Sequence, residues 1–136
     1  MSFHHTWQLR VRYGETDQMG FVYYGVYAQY YEVARVEAMR SLGIHYASIE
    51  KEHGIWLPVM EMHVRFIRPA RYDDLLSIYT TIPSLPDKEI RFRYEIKNEQ
   101  GLLLNGAIVQ LCFLEAATQR RIIAPDFIKQ PLMLYF

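Results

Sequence analysis

A single cysteine, Cys112, is all the thiol chemistry the chain owns, so it has no disulfide framework and no cysteine-based metal site. Cys112 sits inside the apolar run Ala107 to Leu114, the setting of a buried structural thiol rather than of a nucleophile. The five histidines, His4, His5, His45, His53 and His63, lack the i, i+4 or His-Glu spacing of a metal centre. No run of about 20 apolar residues is available to span a bilayer. The start of the chain has no apolar stretch of signal-peptide length, so the expected compartment is the cytoplasm. Charge of one sign is missing too: 15 basic and 15 acidic side chains leave a formal net charge of zero. That argues against a nucleic-acid binder, which needs a broad basic face, and an anionic ligand has to be held by local charge. Gly14, Gly20 and Gly25 do not form a phosphate-binding loop, because no closely spaced glycines with a following Lys join a strand to a helix there.

What is present fits one folded domain over residues 1–136. Hydrophobic residues make up 51% of the chain and charged ones 22%, the balance of an ordinary globular protein rather than a disordered one. Trp7, Leu9, Val11 and Tyr13 alternate with polar neighbours, which predicts a first strand over residues 7–13. A turn follows from Gly14 to Gly20 with Asp17 inside it. Tyr27, Tyr30, Tyr31, Ala34, Ala38 and Leu42 then recur at spacings of three and four, the pattern of a helix of roughly five turns. Gly43 stands where a left-handed cap residue closes such a helix. A short helical piece is expected over 46–53, and strands dominate afterwards. Met60, Met62, Val64 and Phe66 oppose Glu61, His63 and Arg65. Leu76 to Ile82 and Ile90 to Lys97 repeat the alternation, and residues 98–101 make a hairpin turn. Leu102 to Glu115 reads as a strand covered on both faces, and residues 120–123 as a last short one. A long helix beside a run of antiparallel strands predicts an α+β domain with the helix packed on a curved sheet. Its edge strand or the Tyr-rich helix offers a route to self-association, so a homodimer at least is expected.

The chemistry concentrates in Val11 to Ile44, where a carboxylate and a glycine turn precede the long helix. A helix N-terminus presents unpaired amides and partial positive charge, which polarise a carbonyl placed against them and stabilise a developing oxyanion. A carboxylate beside that carbonyl either attacks its carbon or takes a proton from an attacking water. The sequence leaves both roles open for Asp17.

The string YGETDQMGFVYYGVYAQYYEVARVEAMRSLGI resembles the thioesterase family that includes 4-hydroxybenzoyl-CoA thioesterase and the Tol-Pal-associated acyl-CoA thioesterase. Asp17, Gly20, Val22, Tyr24, Tyr27, Ala34, Arg35 and Gly43 match that pattern in order and spacing. RPARYDDLLSIYT, from Arg68 to Thr80, and the segment from Ala107 to Arg121 before Pro125 extend the resemblance over nearly the whole chain. It implies a hotdog fold, with a long central helix wrapped by a curved antiparallel sheet. It also implies hydrolysis of an acyl-CoA, or of an acyl carrier protein thioester, without metal or redox cofactor, by a homodimer or homotetramer. Asp17 then matches the family's catalytic carboxylate, and Tyr24 the residue whose backbone amide binds the thioester oxygen. Gly20, Val22 and Gly25 line the same segment and are assigned to substrate binding. Tyr24 stands where many members carry His, and Gly25 where many carry a small polar residue, so only the amide's role transfers. The basic cluster that some members use for the CoA phosphates reduces here to Lys88, with Arg91 nearby on the next strand.

Other readings are set against these. Asp17 also suits a turn or helix cap. The rings of Tyr23 and Tyr24 are expected in the core, the helix tyrosines to pack on the sheet, and Glu61 and His63 on a solvated or interface strand face. Arg65, Arg68, Arg91, Arg93 and Lys88 are strand-face charges, some of which an acyl-CoA would need. A hotdog hydratase or dehydratase would want a His beside the helix, and residues 6–44 contain none. A non-catalytic acyl-CoA binding module is the rival from another class, and Asp17 is the feature that separates the two.

Overall fold

The computed structural model describes all residues, 1–136. Strand β1 (Phe3–Arg10) leads through a single 3-10 turn (Tyr13–Glu15) and the 16–25 loop into helix α1 (Val26–Ser41). Helix α2 (Tyr46–Lys51), strand β2 (Ile55–Trp56) and strands β3 (Val59–Phe66), β4 (Leu75–Ile82), β5 (Glu89–Lys97) and β6 (Leu103–Glu115) follow. Strand β7 (Arg121–Ile122) and helix α3 (Asp126–Met133) complete the chain. The main sheet runs β1-β4-β5-β6-β3, antiparallel throughout, and β2 and β7 attach to the far end of β6. This is the α+β hotdog arrangement that the resemblance implied, with α1 lying across one face of the sheet.

The core forms because two periodicities meet. On α1 the buried positions are Tyr27, Tyr30, Tyr31, Ala34, Arg35, Ala38 and Met39, spaced to give one continuous stripe. Under it, every second residue of β4 and β5 is buried, namely Leu76, Ile78, Thr80, Ile82, Ile90, Phe92, Tyr94 and Ile96. Small residues at Ala34 and Ala38 let the helix approach the sheet, while Tyr31 stacks on Tyr94 with centroids 4.8 Å apart. The Tyr31 hydroxyl donates to Asn105 Oδ1 at 2.7 Å. Burial raises the pKa of both phenols, so they stay neutral hydrogen-bonding groups. Gly43, at φ +80°, closes α1 in the left-handed conformation expected of it. Cys112 is buried and free.

Several expectations need correction. The first strand runs from Phe3 to Arg10 rather than over 7–13, because the alternation continues upstream through His5 and Phe3, whereas Tyr13 enters the 3-10 turn. The second helix stops at Lys51. Strand β6 alternates between buried and more exposed residues from Asn105 to Leu111, with Ile108 on the outer face exposed, so it is not covered on both faces throughout. The two-residue strand β2 and the terminal helix α3 are additions that the sequence pattern does not predict, the latter because Pro131 interrupts its pattern. Edge strand β3 has its apolar residues on one face as expected, since Val64 and Phe66 pair with the inward-facing Ala107 and Asn105. Helix α1 reaches that face only at its end, where Tyr27 meets Phe66, so Met60, Met62 and Phe66 stay largely exposed.

Candidate functional site

The turn after β1 carries two acids in different states. Glu15 is nearly buried, and its carboxylate accepts four hydrogen bonds: Arg12 N at 2.8 Å, Arg12 Nε at 3.2 Å, Arg12 Nη2 at 2.9 Å and the Tyr30 hydroxyl at 2.9 Å. Burial pushes the Glu15 carboxyl up, but the bonds from Arg12 and Tyr30 outweigh it and hold the pKa below the ordinary carboxylate value. The same contact and burial drive the Tyr30 phenol far upward. Glu15 thus ties the turn to the middle of α1. Glu15 and Arg12 lie outside the sequence-predicted site residues; their Arg-x-x-Glu spacing across the turn is the one signal in the sequence that points to them.

Asp17, two residues on, is half-buried and only half engaged. Its Oδ1 accepts from Met19 N at 2.9 Å and Phe21 N at 3.1 Å, the self-bonded turn that short acidic side chains favour. Its backbone closes the same loop, with Asp17 N donating to Phe21 O at 2.7 Å and Gly20 N to Asp17 O at 2.9 Å. The tight return needs φ +82° at Gly20, open to glycine at no steric cost. Oδ2 has no protein donor, so the bland role and a chemical role fall on different oxygens of one carboxylate.

The loop next delivers Tyr23 N to Glu15 O at 2.9 Å and Val22 N to Ala70 O at 2.8 Å. Helix α1 then begins at Gly25, which has helical backbone angles and no side-chain cap. Val26 N and Tyr27 N close on Tyr23 O and Tyr24 O. The N–H groups of Tyr24 and Gly25 donate to no protein acceptor, and they lie at the positive end of the helix.

Asp17 and Tyr24 open onto one cleft of about 330 Å³. Its walls are largely apolar: Met19, Phe21 and Val22 from the loop, Tyr27 from α1, and Phe66, Ile67 and Pro69 from the end of β3. Arg68 is its one cation. The rings of Tyr27 and Phe66 meet edge to face, 5.5 Å between centroids. An apolar cleft with a few convergent polar groups is the usual form of a small-molecule site.

The structure therefore brings Asp17, Val22 and Tyr24 together. Gly20 shapes the loop without lining the cleft. Gly25 packs against the Tyr23 ring, which an added Cβ would meet at 2.9 Å. The Tyr23 and Tyr24 rings are exposed, against the expectation that they lie in the core, because they lie on a loop outside the sheet, where they meet each other at a tilt with centroids 4.6 Å apart. Lys88 and Arg91 do not join the site within one chain. They stand at the start of β5, beside Cys112 and Gln110 of β6, whereas the cleft adjoins Asn105 at the opposite end of that strand. Arg91 Nη2 donates to Gln110 Oε1 at 3.0 Å. Glu61 and His63 pair with each other at 2.9 Å on the exposed face of β3.

The sequence profile of the Thioesterase superfamily matches residues 19–105. The acyl-CoA thioester hydrolase YbgC of Escherichia coli is 37% identical over 103 residues, 76% of each chain. Among solved structures, a DHNA-CoA thioesterase from Staphylococcus aureus superposes with a TM-score of 0.84 at 31% identity, over 88% of this chain and 80% of that one. A 4-hydroxybenzoyl-CoA thioesterase mutant, complexed with 4-hydroxybenzoyl-CoA, superposes at 0.86 with 23% identity, over 96% and 99%, a likeness of fold.

Proposed function

The chain belongs to the thioesterase superfamily, and on that premise we propose that it hydrolyses acyl-CoA thioesters to a free acid and coenzyme A, with Asp17 acting at the thioester carbon. The observation that carries this is the cleft itself, lined by both Asp17, whose Oδ2 accepts no protein hydrogen bond, and Tyr24, whose amide donates to none. The thioester oxygen sits against the Tyr24 amide, and the helix end stabilises the charge that grows on it. Asp17 Oδ2 then works in one of two ways. As a nucleophile it forms a mixed anhydride, the C–S bond breaks, the thiol leaves with a proton, and water cleaves the anhydride. As a general base it takes a proton from water while the hydroxyl adds to the carbon and the thiol leaves. Neither route uses a metal or cofactor beyond the coenzyme A of the substrate.

The working unit we propose is a homodimer, or a homotetramer built from it, in the cytoplasm. The exposed apolar residues Met60, Met62 and Phe66 of β3 and its free backbone edge support pairing with a second copy. Antiparallel pairing along β3 reverses the sheet ends. It would carry Lys88 and Arg91 of one copy toward the cleft of the other, where the carrier's phosphates need cations.

Thiol release from a panel of short, medium, long and aryl thioesters, on coenzyme A and on acyl carrier protein, tests the reading. Turnover of some member, lowered at least about 100-fold by Asp17→Asn, is the expected result. Binding of thioesters without turnover would sink the enzyme and leave a binding module.

A further inference from the structure

We propose that Arg68 selects the substrate by holding an anionic group, a carboxylate on the acyl portion, inside the Asp17 cleft. The proposal deepens the thioesterase reading and takes from it that the ligand is a thioester.

Arg68 is the one cation on an otherwise apolar wall shared with Asp17. It is held in place from both ends. Its backbone N–H shares the Leu104 carbonyl with that of Ile67, each at 2.9 Å, and its Nη1 donates to the Leu103 carbonyl at 3.1 Å. A guanidinium has five N–H donors in a fixed fork, so most of the fork stays free after that bond. No carboxylate forms an ion pair with it: those of the chain are Arg10–Asp73, Arg12–Glu15, Arg40–Glu37, His63–Glu61 and Arg121–Glu89. Asp17 and Arg68 therefore line one cleft without neutralising each other. A second unpaired guanidinium, Arg71, lies 4.8 Å over the ring of Phe21, itself part of the cleft wall. Two guanidiniums without ion-pair partners thus border the cleft, and a planar fork suits a carboxylate bidentately.

The same guanidinium chemistry would take a phosphate of the carrier. The phosphate lies at the far end of the pantetheine arm, many bonds from the sulfur, while the cleft that holds both Asp17 and Arg68 has only about 330 Å³. Because Arg68 shares that cleft with Asp17, where the reacting carbon would sit, its guanidinium is assigned to the acyl portion rather than to the phosphate.

The test uses non-hydrolysable thioethers: S-hexyl-coenzyme A, its ω-carboxylate counterpart, and the same pair on pantetheine without phosphate. Calorimetry gives Kd for the wild type, Arg68→Gln and Arg68→Lys, with matching melting temperatures as the check on folding. The expected result is that Arg68→Gln shifts the acid-to-neutral Kd ratio by at least about tenfold on both carriers, and that Arg68→Lys retains part of the preference. Equal weakening of both coenzyme A ligands with the pantetheine pair untouched would overturn the assignment, placing the guanidinium on the carrier phosphate. An unchanged ratio and unchanged affinities would overturn it outright. Because the readout is binding, a wild type that hydrolyses nothing would remove the thioesterase reading and leave this result standing or falling separately.

Discussion

Glu15 and Asp17 are two residues apart on one turn, yet the fold treats them in opposite ways. Glu15 is drawn under α1 and saturated by Arg12 and the Tyr30 hydroxyl. Asp17 keeps one oxygen on its own loop amides, leaves the other without a protein partner, and lines a cleft. A carboxylate whose lone pairs are all taken is structure. A carboxylate whose position is fixed through one oxygen while the other stays free is equipped for chemistry. The comparison teaches that the partners of a carboxylate, more than its place in a motif, separate the two uses, and it is open to direct attack.

The largest stability effect should come from Glu15→Ala, which strands the Tyr30 hydroxyl and the Arg12 amide. A cost of about 2–3 kcal/mol is expected in urea denaturation. The Arg12 side chain is 81% exposed, so its ion pair contributes only a minor share. The same pair makes a pH prediction. Because the Glu15 pKa is depressed on folding, its stabilisation is complete above the unfolded value of about 4.3 and is lost as pH falls through the folded value. Below about pH 4 the wild type should therefore lose stability more steeply than Glu15→Gln; parallel curves would show Glu15 to be a bystander.

Gly20→Ala places a side chain at φ +82° and should cost about 1–2 kcal/mol. If the loop amides position Asp17, thiol release falls with it, while intact activity would detach the loop from the carboxylate. Tyr24→Phe should change turnover less than about threefold, since only the backbone amide is asked to act. A larger loss would assign work to the phenol.

The sequence made the hotdog layout legible because α1 and strands β4 and β5 obey single periodicities, and burial followed them on β4 and β5, while on α1 it also took in Met39 and the charged Arg35. It failed where local pattern and tertiary context part. Pro131 sits within α3, whose pattern it breaks, while Ile128 and Leu132 on either side bury against the core. Tyr23 and Tyr24 are large and apolar but ride on a loop whose path is set by Glu15 and Ala70 carbonyls. The place of Asp17 in the turn before α1 was legible from its motif, and Arg68 stood among the candidate cations. The contacts of Glu15 with Tyr30 and of Arg68 with the start of β6 were not legible, because spacing along the chain does not encode them.

The most direct test places Asp17→Asn beside Glu15→Gln, measuring kcat/KM on whichever thioester the wild type turns over best together with the urea midpoint of each protein. The account predicts that Asp17→Asn loses at least about 100-fold in kcat/KM with its midpoint unchanged, and that Glu15→Gln lowers the midpoint by a larger share than it lowers activity. An Asp17→Asn enzyme that keeps its rate, or one that loses rate only as it loses stability, would contradict it.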